Sequence, residues 1–242
     1  MPDPPRVAII GASGIGRHHA NWHDAVGSQV VAFVGTTPER CHETTKLLEQ
    51  TFGYQGKSYT SVDEMLQRAR PDIVDICSPN FTHYHAASRA LDAGCHVLCE
   101  KPLVWDDNLS AQQMIDQAMH LKRLAGRSGR HFGMCSQLVA LLPQYDQLLP
   151  GTETPRHFQA LMETSGTPRR SGREVWVDMG SHPISLVIAR YPSARLDPAT
   201  VKVHFEEREA KVAFDIIAND DRCTCEITVS DLSGPPLRRC FG

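Results

Sequence analysis

A short apolar segment followed by a glycine-rich turn, close to the start of the chain, limits what the chain can fold into. The segment Arg6-Val7-Ala8-Ile9-Ile10 is rich in β-branched side chains and predicts a buried strand. The turn Gly11-Ala12-Ser13-Gly14-Ile15-Gly16 follows, and the mixed sequence from Arg17 to Ala25 predicts a helix. This order forms a cradle for a pyrophosphate, because free N–H groups and the positive end of the helix dipole face the anion.

The residues of this turn are candidate cofactor ligands. Gly11 makes the tight turn, and Gly16 lets the helix pack closely on the strand. Ser13 stands where the dinucleotide-binding pattern has its second glycine, so it either narrows the approach of the phosphate or hydrogen-bonds it. Glycine turns also occur at ordinary strand-to-helix corners. We predict that the cofactor contacts Gly11, Ser13, Gly14, Ile15 and Gly16.

The end of the second predicted strand, Gln29–Val34, bears on the choice of cofactor. An NAD site usually has a carboxylate there for the ribose 2′-hydroxyl. This chain has Gly35-Thr36-Thr37 instead, with Arg40 one helical turn further on. Thr36, Thr37 and Arg40 suit a 2′-phosphate, so NAD(P) is predicted with a slight preference for NADP. The alternative is that Arg40 is simply a solvated residue of the helix over 38–51.

Strands and helices alternate through the first half of the chain. Further strands are predicted over 72–77, 96–99 and 131–135, and a helix over 108–125. Repeated β-α-β units predict a doubly wound parallel sheet of the Rossmann type, with ligands at the carboxyl ends of its strands. Residues 1–136 are therefore predicted to form a dinucleotide-binding domain. Two more strand ends carry candidate residues, which are Ser78, Asn80 and His83 at one end and Glu100 and Lys101 at the other.

The pattern changes after residue 136. A strand is predicted over 157–163, a helix over 175–190, and three strands over 201–205, 211–218 and 223–229. Strands that follow one another without helices imply a mostly antiparallel sheet. Residues 137–242 are therefore predicted to form a smaller α+β domain for substrate binding and oligomerisation. The fold class is α/β with this second domain.

Composition excludes several classes of function. The chain has 242 residues and a formal net charge of −3, so its charge gives no reason to expect binding to nucleic acid or to an anionic membrane. No apolar stretch approaches the roughly 20 residues of a membrane span. Eight cysteines occur without paired C-x-x-C spacing or a signal peptide. We expect a cytoplasmic protein with free thiols.

Two short segments carry side chains suited to proton transfer. Lys101, at a strand end, can polarise a carbonyl or shuttle a proton, with Glu100 holding it. Asp178 and His182 are four residues apart and share one face if the segment is helical. An imidazole titrates near neutral pH and can exchange protons with a substrate. The alternative for Asp178 and His182 is a hydrogen-bonded pair with a packing role.

Together these motifs resemble the glucose–fructose oxidoreductase, inositol dehydrogenase and MocA-like family (Gfo/Idh/MocA) from Arg6 to about Arg239. The resemblance rests on the glycine turn with Arg17-His18-His19-Ala20, on Ser78-Pro79-Asn80 with Thr82-His83, on Glu100-Lys101-Pro102, and on Asp178-x-Gly180-x-His182. It implies an NAD(P)-dependent oxidoreductase that transfers a hydride between nicotinamide and a secondary alcohol or ketone of a sugar, inositol or related polyol.

The resemblance also implies roles for the candidate catalytic residues. Lys101 would contact nicotinamide and substrate, and His182 would act as the general acid–base. Asp178 would assist His182 or bind substrate. Family resemblance further implies a homodimer or homotetramer built through the second domain. The chain is short for the family, so it is either a trimmed member or one whose second sheet is completed otherwise.

Other functions fit the sequence less well. A short-chain dehydrogenase would need a Tyr-x-x-x-Lys pair, and no tyrosine has a lysine four residues on. A zinc enzyme is conceivable from the twelve histidines, which include His18-His19 with His23 and His83 with His85. These groups lie beside the nucleotide turns, and neither has an evident third and fourth ligand, so no metal site is predicted. The remaining alternative is a regulator that keeps the fold and binds a dinucleotide and a partner protein without turnover.

Overall fold

The computed structural model describes residues 3–148, 156–166, 168–218, 221–235 and 237–241 and consists of two compact units. The first unit comprises Met1–Cys135 and the second Ser136–Gly242. The division falls one residue before the predicted domain boundary.

The first unit contains a six-stranded sheet in which every pairing is parallel. Its strand order, β3-β2-β1-β4-β5-β6, reverses direction at β1, as in a doubly wound fold. The predicted Rossmann architecture is thus confirmed, and one short strand, β3, was not predicted. The strands are β1 (Arg6–Ile10), β2 (Gln29–Val34), β3 (Lys57–Tyr59), β4 (Ile73–Ile76), β5 (His96–Cys99) and β6 (Phe132–Met134).

Strand β1 lies in the interior of the sheet, and both of its faces are buried. Val7 and Ile9 pack into one apolar cluster, and Ala8 and Ile10 pack into another on the opposite face. Burying a side chain of the size of Ile9 stabilises the fold by about 1.5–3 kcal/mol. Two-sided burial explains why the strand is an uninterrupted apolar run, and it places the turn at Gly11 in the middle of the carboxyl edge.

Helices cover the sheet of the first unit. Helix α5 begins later than predicted because Ser110 and Gln113 form a capping box. Helix α2 ends at Phe52, one residue beyond the predicted end, and is capped by Gly53, whose backbone is left-handed (φ 75°). The helices are α1 (Ile15–Ala25), α2 (Pro38–Phe52), α3 (Val62–Ala69), α4 (His83–Asp92) and α5 (Ala111–Ser128).

The second unit contains a five-stranded sheet with the order β11-β7-β10-β9-β8. Strands β7 and β10 pair in parallel and the other neighbours are antiparallel, so the expectation of a mostly antiparallel sheet is confirmed. Strand β11 was not predicted. The strands are β7 (His157–Thr164), β8 (Arg195–Phe205), β9 (Glu209–Ala218), β10 (Asp221–Asp231) and β11 (Arg239–Phe241).

The helical segment predicted over 175–190 is two helices, α7 (Gly172–Met179) and α8 (Ser181–Arg190). They are separate because Pro183 has no N–H to donate to the carbonyl of Met179, which interrupts the hydrogen-bond ladder. In α8 this proline lies in the first turn, where a missing donor costs nothing. The unit also contains a short 3₁₀ segment (Gln137–Leu141) and α6 (Leu142–Leu148).

Strand β8 lies at an edge of the second sheet and has an exposed apolar side. Val201, Val203 and Phe205 are 41%, 53% and 45% exposed, and they alternate with Lys202 and His204. None of the helices in the described parts of the chain combines the length and the apolar character needed to cross a membrane.

Candidate active site

The turn after β1 is held in shape by the absence of side chains at two glycines. Gly11 has a φ of +87°, and a Cβ on it would lie 2.9 Å from the backbone N of Ser78. A Cβ on Gly16 would lie 2.3 Å from the carbonyl oxygen of Gly11. Helix α1 therefore begins directly against the turn, with its N-terminal N–H groups at the sheet edge.

A cavity of about 1000 Å³ opens above this edge. A Cβ on Gly14 would meet no atom within 4 Å, so the backbone of Gly14, beside the N-terminus of α1, is uncovered on the side of the cavity. These features fit a pyrophosphate and its attached nucleoside. Of the predicted cofactor ligands, six line the cavity, which are Gly11, Ser13, Gly14, Thr36, Arg40 and Ser78.

The remaining predicted ligands lie elsewhere in the first unit. Ile15 is the first residue of α1 and is 42% exposed. Thr37 caps α2, since its hydroxyl accepts the N–H of Arg40 at 3.2 Å. Asn80 begins a short 3₁₀ turn after β4.

Charged side chains surround the part of the cavity beyond β2. The Arg40 side chain is 73% exposed, and its Nη1 lies 3.8 Å from Glu43 Oε2. Arg89 from α4 and Asp63 from α3 also line the cavity and form an ion pair with each other. Sequence reasoning missed Arg89 and Asp63, because their approach depends on how α3 and α4 pack against the sheet.

The segments after β4 and β5 are joined by His83, which is 1% exposed. Its Nε2 is 2.8 Å from the carbonyl oxygen of Ser78, and its Nδ1 is 2.9 Å from that of Pro102. The structure thus places His83 behind the cavity wall, where both ring nitrogens face backbone. It fixes two strand ends relative to each other.

Glu100 and Lys101 follow β5 directly. The N–H of Lys101 donates to Glu100 Oε2 at 3.1 Å, and the N–H of Glu100 donates to the carbonyl of Ile76 at 2.8 Å. Burial alone raises the pKa of Glu100, but His19, the N–H of Lys101 and the Lys101 charge outweigh burial and hold the pKa below its usual value. Glu100 is therefore a carboxylate at neutral pH.

A chain of ionisable side chains, which we call the His19 network, runs beneath the turn. Asp75 Oδ2 is 2.9 Å from His19 Nδ1 and 2.9 Å from His23 Nε2, and His19 Nε2 is 3.3 Å from Glu100 Oε1. The contact with Glu100 is an ion pair rather than a well-aligned hydrogen bond. Asp75 is fully buried and His19 is 3% exposed.

The protonation states of the His19 network follow from its contacts. Burial lowers the pKa of His19, yet its contacts with Asp75, Cys135, Cys77 and Glu100 raise it well above its ordinary value. Burial raises the pKa of Asp75, and the two histidines lower it below its ordinary value. Asp75, His19 and Glu100 therefore carry alternating opposite charges.

Sequence reasoning missed the His19 network. An acidic residue inside the apolar strand β4 was a signal, because a buried carboxylate requires partners. His19 and His23, one helical turn apart on α1, supply them. Two groups of side chains in this region could offer ligand atoms to a metal ion. The ligand atoms of His19, Asp75 and Cys77 lie within 4.8 Å of one another, and so do those of His19, Glu100 and Cys135.

In the second unit, Arg170 organises the surroundings of Asp178. Its guanidinium bonds Asp178, and its backbone N–H donates to Asp231 Oδ2 at 2.9 Å. Asp231 is fully buried and also accepts the N–H of Gly166 at 3.1 Å. His182, in the first turn of α8, is 9% exposed. Sequence reasoning did not assign Arg170 to Asp178.

Residues 5–134 match the family described as "Oxidoreductase family, NAD-binding Rossmann fold", Gfo/Idh/MocA. This match covers the whole first unit apart from its ends, including the glycine turn and Lys101. The chain belongs to this family. The recognition made from the motifs is thereby confirmed.

Two relatives illustrate the family. D-glucoside 3-dehydrogenase of Escherichia coli is 33% identical over 129 residues, which are 53% of this chain and 35% of the relative. UDP-N-acetylglucosamine 3-dehydrogenase of Acidithiobacillus ferrooxidans is 26% identical over 235 residues, 97% of this chain and 69% of the relative. The chain thus spans about a third of the first relative and about two thirds of the second.

A solved structure shares the architecture of both units. The crystal structure of GenD2 from gentamicin A biosynthesis, in complex with NAD, has a TM-score of 0.77 and 20% identity. The match covers 100% of this chain and 70% of GenD2. At this identity the likeness concerns the fold.

The first prediction concerns the turn. Gly11→Ala adds a Cβ 2.9 Å from backbone atoms at a positive φ, so the turn must shift, and we expect affinity for NAD to fall at least about tenfold. Gly27→Ala is the matched control: Gly27 has a φ of +84° and open space around its Cβ position. Calorimetric titration with NAD and thermal melting of both variants test this. Equal NAD affinity in Gly11→Ala and the wild type would contradict it.

Proposed function

We propose that this chain is an NAD(P)-dependent oxidoreductase that transfers a hydride between nicotinamide and a secondary alcohol or ketone of a sugar, inositol or related polyol. The observation that carries the proposal is the single carboxyl edge of the first sheet. The open glycine turn after β1 and the Glu100-Lys101 segment after β5 both lie at that edge. Dinucleotides bind in such crevices of parallel sheets.

The substrate class is supported by the relatives and by the side chains. Both relatives described above carry names that specify a dehydrogenase acting on the 3-position of a sugar. Lys101, His182 and Asp178 are polar groups that can pair with hydroxyls. A sugar or polyol therefore suits this chain better than an apolar alcohol.

The chemistry requires separate handling of a hydride and a proton. The bound cofactor supplies or accepts the hydride at its nicotinamide ring. In the oxidising direction His182 takes the hydroxyl proton as the C–H bond breaks with its electron pair, and Lys101 stabilises the developing alkoxide. Asp178, bonded by Arg170, orients the imidazole or binds a substrate hydroxyl. In the reducing direction the same groups act in reverse.

The reaction predicts the effect of two substitutions. Lys101→Met and His182→Ala should each lower kcat by about 10²–10⁴ while NAD affinity changes little, because each removes a group that acts on the proton or the alkoxide. Lys122→Met and His42→Ala, at exposed helix positions, are the controls. The assay follows cofactor reduction spectroscopically over a panel of sugars, inositols and keto-sugars.

Two outcomes would contradict this assignment. Near wild-type rates in both variants would remove Lys101 and His182 from the reaction. Absence of turnover with every polyol and either cofactor, with dinucleotide binding intact, would favour the regulator that binds without turnover.

We further propose a slight preference for NADP. The strand end after β2 has no carboxylate, Thr36 and Arg40 line the cavity there, and the Asp63 carboxylate in the same lining is paired with Arg89. An anion beside these groups finds the N-terminus of α2 and an exposed guanidinium.

Arg40→Ala tests this preference. Loss of one charge-assisted pair with the 2′-phosphate should weaken NADP binding about tenfold and leave NAD binding within about twofold. Arg68→Ala is the control, since Arg68 is 71% exposed and pairs with Glu64 away from this cavity. Titration of both cofactors decides the matter, and tighter binding of NAD than of NADP by the wild type would refute the preference.

The proposal includes association into a homodimer or homotetramer through the second unit, supported by the exposed apolar side of β8. We expect Val203→Lys to shift the protein toward monomer in light scattering at micromolar concentration, because a charge would have to be buried at the contact. His204→Lys, on the neighbouring position, is the control. A monomeric wild type would refute association.

All eight cysteines are free, which supports a reducing compartment such as the cytoplasm.

A further inference from the structure

The His19 network lies against the proposed active site but has no part in the reaction as described above. It spans α1, β4 and the segment after β5, and its outer member, His23, has a side chain that is 18% exposed. Its inner member, Glu100, precedes Lys101 directly. Burying several charged side chains costs desolvation free energy, so we expect the protein to have a function that requires this network.

Both ring nitrogens of His19 face carboxylate oxygens. Nδ1 is 2.9 Å from Asp75 Oδ2 and Nε2 is 3.3 Å from Glu100 Oε1. A carboxylate can only accept, so both contacts are favourable only when each ring nitrogen carries a hydrogen. His19 is therefore an imidazolium that links two buried or nearly buried carboxylates.

Glu100 connects this imidazolium to the backbone of Lys101. Its Oε1 faces His19, while its Oε2 accepts the N–H of Lys101 at 3.1 Å. On the other side of Lys101, the carbonyl of Pro102 is 2.9 Å from His83 Nδ1. The backbone of Lys101 is thus held on both sides. Before Lys101, the Glu100 side chain holds it and is itself contacted by His19 of α1. After Lys101, His83 of α4 contacts the carbonyl of Pro102.

We propose that His19 is a positioning residue for Lys101, acting by fixing the Glu100 carboxylate that holds the Lys101 backbone. The role of Lys101 in this proposal rests on the function proposed above. A displacement of about 1 Å at a reacting group can cost about 100-fold in rate, so a fixed backbone at this position has a direct catalytic consequence.

The same residues do not form a metal site in this charge state. A metal needs a ring nitrogen with a free lone pair and a deprotonated thiol. His19 has hydrogens on both nitrogens, and burial raises the pKa of the Cys77 thiol to about 12. Zinc bound in stoichiometric amount to the purified protein would overturn the proposal.

Two measurements test the proposal without any turnover. In wild-type protein with ¹⁵N-labelled histidine, both His19 nitrogens should stay protonated from about pH 6 to about pH 9, because loss of a proton would unpair a buried carboxylate. The His19→Gln spectrum assigns the signal. In that variant the amide of Lys101 should exchange with deuterium about tenfold faster than in wild type. His18→Gln, at an exposed neighbouring position, should match wild type.

Kinetics then separate positioning from folding. We expect His19→Gln to lower kcat about 100-fold, with KM and NAD affinity within about threefold of wild type. If His19 acts through Glu100, the double variant His19→Gln/Glu100→Gln should be no slower than Glu100→Gln alone. Additive losses in the double variant would overturn the proposal.

The pH profile supplies a further readout. Without the His19 cation the pKa of Glu100 rises, so the carboxylate is lost at higher pH, and the acid limb of kcat should move up by about one pH unit. The titratable groups around Glu100 are His19, Asp75, Cys77, Cys99, Lys101 and Cys135.

Failure of the two proposals can be told apart. If no polyol is turned over, the proposed function fails, while the histidine spectrum and the Lys101 exchange rate still decide the inference. If His19→Gln does not fold, the proposal is tested instead by the ¹⁵N-histidine spectrum of the wild type and by the exchange rate of the Lys101 amide in Glu100→Gln. A neutral His19 ring at pH 7, or unchanged Lys101 exchange in both variants, would overturn the positioning role.

Discussion

The close approach of α1 to the turn after β1 is the contact on which the first unit depends. Only 2.3 Å would separate a Cβ at Gly16 from the carbonyl of Gly11, so no larger residue fits without moving the helix. This approach brings the N-terminus of α1 to the sheet edge. It also carries His19 and His23, on the same face of the helix, down onto Asp75 of β4. The cofactor cavity and the buried charges beneath it are two consequences of one packing contact.

Much of the first unit could be predicted because its signals are local. An apolar run buried on both faces, a glycine with a required φ, and regular alternation of strand and helix are all visible within short windows. The three-residue strand β3 escaped because Lys57–Tyr59 has no apolar run of its own and gains its place by pairing with β2. Strand β11 depends in the same way on β7.

The parts of the candidate site that sequence reasoning missed are those that depend on residues far apart in the chain. Asp75 meets His19 across 56 positions, and Arg170 meets Asp231 across 61. The periodicity of a sequence does not show which distant residues pair. An acidic residue within an apolar strand does indicate that it has a partner elsewhere in the chain. The break between α7 and α8 was predictable from Pro183, since a helix over 175–190 would have required an N–H that proline lacks.

The thiol of Cys77 has a consequence for the chemical durability of the cavity. Cys77 lines the cavity and donates its S–H to Asp75 Oδ1 at 3.5 Å. Burial raises the pKa of this thiol to about 12, which disfavours the thiolate at neutral pH, and the thiolate is the form that peroxides and alkylating agents attack. A sulfur in the wall of the cavity is thereby kept in its unreactive thiol form, chiefly by the burial that also packs it against Asp75.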